Sequence, residues 1–406
     1  MLSEDAIDNL VQPIIERQEA INLYIIKKIA GQIKKIGVLP PSAVNSLERL
    51  YQRGGDVKKI NEKLAELTKL QVRDIKNLIK TVAADAYKDA KPFFDYRKKP
   101  YKPFAKNEHV QRVVKAIAKQ TAGEYVNLSK AQAFMLRDMK NPKKLIPTPA
   151  AKAYQSVVDE AIQAVQSGVV DYNTAMRRTL DQLTDSGLRV TYVSEKGKVH
   201  SQAMDVAVRR NLLDGVKAIN QGVQDEVGKE YGADGKELSV HRYSAPDHEP
   251  IQGHQFSNEQ YEKLQNHEAF HDYKGNQFKP MKRAIGVWNC RHFAYSIILG
   301  ASIPVHSDEE LQKYIDENQK GYTDKNGKHR TMYECTQEQR RMEREIRRAK
   351  QAKIAADVAG NKAKATESVA KVKELVAEYR AFSEACGLEA RRDRIQVDGY
   401  TAKIPT

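Results

Sequence analysis

Seven of the ten histidines, His241, His248, His254, His267, His271, His292 and His306, fall between residues 241 and 306, in the stretch that also holds Cys290. Imidazole nitrogen and thiolate sulfur are the usual ligands of zinc, so His248, Cys290 and His292 are candidate metal ligands and zinc the candidate cofactor. The chain has no CxxC pair, so this is not a standard zinc finger. Asp247-His248-Glu249 sets two carboxylates beside an imidazole, and Cys290-Arg291-His292 sets a thiol, a cation and a base in a row. Such groups open a metal-dependent nuclease as an alternative reading. Neighbours in sequence point in different directions, however, and neither group lies in a recognisable catalytic signature, so the expectation is a protein that is not an enzyme. P-loop and dinucleotide fingerprints are also absent.

A second chemistry is suggested by residues 91–107, KPFFDYRKKPYKPFAKN. Here Lys91, Arg97, Lys98, Lys99, Lys102 and Lys106 alternate with Phe93, Phe94, Tyr96, Tyr101 and Phe104. The cations can neutralise phosphates, and the rings either stack on bases or pin the segment to neighbouring helices; the six basic residues are candidate nucleic-acid contacts. Pro92, Pro100 and Pro103 forbid a continuous helix and predict an extended, polyproline-like arm. A further basic run, QRRMEREIRRAK at 339–350, places arginines beside a Met342 and Ile346 stripe. It reads as a salt-bridged solvated face, or else as a surface that docks on DNA or an acidic partner.

The elements that must position these groups are mostly helical. Ser3 and the acidic residues after it open a helix whose apolar Ile7, Leu10, Val11 and Ile14 recur at helical spacing, with Pro40 and Pro41 beyond it. Helices are predicted at about 42–52, 55–68, 70–90 and 108–140, and a loop at 141–149. Two more follow from residue 150, then a β-hairpin through Val190, Tyr192 and a Lys196-Gly197 turn. A helix from Ala203 to Val223 and a strand near Leu238–Tyr243 lead into the histidine-rich region. Ala365, Val369, Val372, Val376 and Tyr379 step by four and three, the seam of a helix packed on its neighbour across Gly360. The fold class is therefore mainly α with a smaller α+β domain. The expected domains are a basic helical region at 1–149, a hairpin-containing α+β domain at 150–330 and a long-helix hairpin and tail at 331–406.

Composition narrows the partners. A chain of 406 residues has room for two or three domains. Residues 1–150 hold 29 basic and 16 acidic side chains, so they carry +13 of the net +15. Such a field calls for an anionic partner. Cys290, Cys335 and Cys386 are too few and scattered for a disulfide framework, which suits a reducing cytosol. The acidic start does not read as a secretory signal, and the uncharged run Phe293–Val305 is too short to span a bilayer, so no membrane partner is expected.

The segments RYSAPDHEPIQGHQFSNEQY (242–261) and GVWNCRHFAY (286–295) resemble the phage minor capsid protein 2 family, within the phage Mu F-like head morphogenesis superfamily. The residues that carry the likeness are Ser244, Asp247, His248, Gln252 and Gly253, then Gly286, Asn289, Cys290, Arg291 and His292. The hairpin and helix at 190–212, with Arg209, and the arginine-rich helix also look like the family, so the resemblance covers roughly 150–355. It implies that the motif residues are a structural signature or contact site. It also implies a low-copy structural component of procapsid assembly, associated with the portal vertex and packaged DNA inside the head. Portal protein and capsid or scaffold proteins are the implied partners, and the virion, after assembly in the host cytoplasm, the implied location. A DNA-binding protein co-injected with the genome is the alternative.

Overall fold

The computed structural model describes the chain apart from residues 1–3, 38–54, 139–140, 142, 167–171, 194–198, 273–274, 287–289, 291 and 402–406. In chain order the helices are α1 (Glu4–Gly37), α2 (Gly55–Lys88), α3 (Lys91–Tyr96), α4 (Glu108–Lys130), α5 (Ala150–Gln166), α6 (Tyr172–Ser186), α7 (Met204–Tyr231), α8 (Asn258–Gln265), α9 (Asp308–Lys320), α10 (Met332–Ala359) and α11 (Lys362–Ala385). The strands are β1 (Gln132–Arg137), β2 (Leu145–Pro149), β3 (Leu188–Val193), β4 (Val199–Ala203), β5 (Gly235–Leu238), β6 (Gln255–Ser257), β7 (Phe270–His271), β8 (Gln277–Phe278), β9 (Ala294–Ile297), β10 (Tyr322–Thr323) and β11 (His329–Arg330). The mainly helical class with smaller antiparallel sheets agrees with the sequence reading. Two compact units divide the chain. One is built from Met1–Ile14, Val72–Tyr125 and Arg209–Cys335, the other from Ile15–Gln71, Val126–Val208 and Thr336–Thr406.

In the first unit, α7 and α4 approach closely because α7 carries glycines where they meet. A Cβ at Gly215 would stand 2.6 Å from the Thr121 side chain, and one at Gly222 would stand 2.7 Å from Val113. The three-stranded antiparallel sheet has the order β6-β5-β9, and β7 pairs with β8 beside it. Leu238, Ile251, Phe256, Leu264, Phe270, Phe278, Met281, Ile285, Cys290 and Ala294 form its core. Phe256 meets Phe270 and Phe278 edge-on, and those two rings stack at 5.2 Å.

The segment 91–107 departs from the predicted extended arm. Pro92 stands in the first turn of α3, where its missing N–H costs no hydrogen bond, and Phe104–Lys106 forms a short 3-10 turn. Its rings are tied down. Phe93 stacks on Tyr231 at 5.1 Å, Phe94 and Tyr101 meet edge-on, and Tyr87 lies against both Tyr101 and Phe104. Tyr87 Oη donates to Lys102 O at 2.7 Å and Tyr101 Oη to Tyr87 O at 3.1 Å, so strap and helix close on each other. The strand expected near Leu238–Tyr243 ends at Leu238, because residues 239–243 turn away toward the histidine cluster.

The second unit holds a four-stranded antiparallel sheet of order β2-β1-β3-β4. The predicted hairpin is present as β3 and β4, with Tyr192 opposite His200; its Lys196-Gly197 turn lies outside the described residues. Two expectations are corrected here. Residues 132–137 form β1 instead of extending the preceding helix, and 145–149 form β2 instead of a loop. Buried Ala133, Phe134 and Leu136 draw β1 into the sheet, while Pro147 and Pro149 are tolerated because β2 is an edge strand. The helices expected at 55–68 and 70–90 are one helix, α2, since no Gly or Pro interrupts it. The helix expected at 42–52 lies outside the described residues.

The helical hairpin at the C-terminus agrees with its heptad-like seam. Val372, Val376 and Tyr379 of α11 are buried with Met342 and Ile346 of α10, and Gly360 turns the chain at φ 78°. Tyr379 Oη donates to Glu343 Oε1 at 3.1 Å and accepts from Arg391 N at 2.8 Å. The arginine-rich run is engaged within this unit: Arg341 pairs with Glu338 and Glu345, while Arg347 reaches Glu19, Asp205 and the carbonyl of Arg394.

Candidate functional site

The histidine cluster is assembled by two returns of the chain onto β5. After Leu238, residues 245–253 coil through turns in which His248 N donates to Ala245 O at 2.9 Å. Gly253, at φ 74°, then reverses direction so that its N–H reaches Leu238 O at 3.0 Å. A Cβ at this position would stand 2.3 Å from Leu311, which gives the Gln252-Gly253 pair of the motif a steric reason. From the other side Ser239 and Phe293 exchange hydrogen bonds of 2.8 and 2.9 Å, which seats Cys290 and His292 next to the turn.

The result is a buried trio. His248, Cys290 and His292 each offer one donor atom, and the three atoms lie within 4.8 Å of one another. Their residues are 1%, 3% and 3% exposed. His292 Nδ1 is 3.6 Å from Cys290 Sγ, and its Nε2 is 3.4 Å from Gln252 Oε1 and 3.5 Å from Ser244 Oγ. His248 Nε2 donates to Arg283 O at 2.9 Å. Arg283 in turn grips Asp247 with two hydrogen bonds, of 2.8 and 2.6 Å. His241 meets the His292 ring edge-on at 4.5 Å, and its backbone N–H donates to Gln252 Oε1 at 2.9 Å.

The electrostatics follow from burial opposed by neighbours. Burial alone raises the Cys290 thiol, but His248, the Lys217 charge and the Gly286 backbone overcome it and hold the thiol below its ordinary range. Burial works against a charged His248, and the Cys290 contact, the Arg283 carbonyl and Asp247 raise it nonetheless. His292 is driven well down by burial and by the charges of His241, His248, Lys217 and Arg283. Burial raises Asp247, yet the Arg283 pair keeps it low.

Of the motif residues, Ser244, Asp247, His248, Gln252, Gly253, Cys290 and His292 come together, with Gly286 at φ 87° leading toward Cys290. Asn289 and Arg291 lie outside the described residues. Glu249 is anchored by Asn318 at 2.6 Å and Gln319 at 2.8 Å, which fastens the turn to α9. Arg283, Lys217 and Asn318 join from distant segments and carry no local sequence signal. The remaining clustered histidines have other settings: His267 bonds Met281 O at 2.8 Å, His306 pairs with Glu310 at 3.6 Å, and His254 packs on Phe278. His267-Glu268-Ala269-Phe270-His271 has the HExxH pattern, which presents two metal ligands only on a helix. Here it runs from the turn after α8 into β7, and His267 sits at φ 61°.

All six basic residues of the 91–107 segment are exposed. Lys91 pairs with Asp95 at 2.6 Å, Lys99 donates to Glu230 O at 3.0 Å and Arg97 to Gly232 O at 3.3 Å. Lys98 projects from a left-handed residue at φ 51°.

The profile of the family described as Phage minor capsid protein 2 matches residues 2–384, nearly the whole chain. Searches of curated proteins and of solved structures gave no match.

Proposed function

Because the chain belongs to the phage minor capsid protein 2 family, we propose that it acts as a low-copy head component docked at the portal vertex, its basic face turned to packaged DNA. Family membership itself makes it a phage minor capsid protein, a constituent of the virion that interacts with other head proteins. Among the described residues no helix is long and apolar enough to cross a membrane. The observation that carries the finer reading is the strap at 91–107: its six cations face outward while all its rings but Tyr96 are packed against protein. Such a surface neutralises phosphate without reading bases, which suits contact with DNA of any sequence.

The reading is of a structural protein, not an enzyme. The Cys290 and His248 pair has the charge pattern of an activated thiol, but its burial leaves no path for a polymeric substrate. Co-expression with the portal protein of the same phage genome tests the placement. A stable complex at sub-stoichiometric copy number is expected; a protein that elutes alone while the portal assembles normally overturns it. If purified protein degrades DNA with added divalent ion and loses that activity in Asp247→Ala, the nuclease alternative stands instead.

A further inference from the structure

We propose that His248, Cys290 and His292 bind one zinc-class divalent cation, and that the ion ties the 241–254 turn to the segment around Cys290–Phe293. The backbone N–H of His241 donates to Gln252 Oε1, which fixes that atom as oxygen, so His292 Nε2 facing it carries a hydrogen. Arg283 O only accepts, so His248 Nε2 carries one too. With both rings neutral, as metal binding requires, each keeps its lone pair on Nδ1, and that of His292 faces the sulfur at 3.6 Å. A single thiol proton cannot satisfy two imidazole nitrogens and a sulfur gathered within 4.8 Å, whereas one cation can.

The Cys290–His292 separation already has the length that a shared ion requires. Zinc bonds of about 2.3 Å to sulfur and about 2.0–2.1 Å to nitrogen at a tetrahedral angle place the two donors about 3.5–3.6 Å apart, and Cys290 Sγ and His292 Nδ1 are 3.6 Å apart. The outer nitrogens rest on carbonyl oxygens, the support that metal-bound histidines ordinarily have, and Asp247 extends one chain by holding Arg283. Solvent supplies the fourth ligand. Strands in this unit run only two to four residues, and a metal clamp stabilises such short elements. The ion is structural, and the proposal is independent of where in the head the protein sits. A rival arrangement keeps the site metal-free, with the Cys290 sulfur hydrogen-bonded to His248 and near the Lys217 charge.

The test uses the full, untagged chain purified without chelator, assayed for bound metal and then loaded with cobalt(II). One metal per chain is expected, with a thiolate-to-cobalt charge-transfer band and tetrahedral d–d absorption. Cys290→Ser should lose both, His292→Ala should bind at least about tenfold more weakly, and Cys335→Ser and Cys386→Ser should bind as before. The wild-type cobalt spectrum requires no variant to fold. Less than about a tenth of an equivalent retained after zinc loading, or a cobalt spectrum without the sulfur band, overturns the proposal in favour of the rival pair.

Discussion

Gly253→Ala tests the turn that carries His248 and Gln252. Alanine at φ 74° pays about 1–2 kcal/mol for the left-handed backbone. Its methyl would also stand 2.3 Å from Leu311 Cδ2 and 3.0 Å from Val240 Cγ2, and forcing that overlap into a packed core costs a further ~1–3 kcal/mol. The variant should therefore lose about 2–5 kcal/mol. Leu311→Ala alone should lose about 2–5 kcal/mol through its cavity. In the double variant most of the overlap is gone while the backbone penalty remains, so the combined loss should fall short of the sum by ~1–3 kcal/mol. Urea unfolding followed by circular dichroism gives the four stabilities, read from the transition of the unit that contains residue 253. Losses that add to within about 0.5 kcal/mol refute the steric account.

Two further outcomes follow from groups outside the cluster. Burial, helped by the Arg347 charge, lowers Lys350 from 10.5 to about 8, so the folded state binds fewer protons than the unfolded one between those values. Stability should rise by up to about 3 kcal/mol as pH climbs through that window, and Lys350→Met, which removes the group, should flatten the rise; an unchanged slope contradicts it. For the strap, replacing Lys98, Lys99 and Lys102 with glutamine should weaken duplex DNA binding and lower the slope of log affinity against log salt by about 2–3. Binding with an unaltered slope would remove these lysines from the contact.

What the sequence revealed depended on how local each signal was. The α10–α11 hairpin was legible because Val372, Val376 and Tyr379 repeat at packing intervals and Gly360 breaks the run, all within one segment. β3 and β4 announced themselves by alternation. β1 did not, since Gln132, Ala133, Phe134 and Leu136 are all buried and leave no two-residue period; β2 was hidden by the prolines that its edge position permits. At the site, residue type and crowding picked out His248, Cys290 and His292 together. Arg283, Lys217 and Asn318 could not be found that way, because only tertiary folding brings them near the trio. The strap's rings were open between stacking on bases and packing on protein, and the choice depended on Tyr87 and Tyr231, which lie outside the strap itself.

The central claim is a minor capsid protein stationed at the genome's entry point. Electron microscopy of whole particles, reconstructed without imposed symmetry and compared between wild-type phage and phage lacking this protein, measures it directly. The account predicts difference density on the inner side of the portal vertex and none at the other vertices. Density spread over the shell lattice, or no difference at the portal, would contradict it.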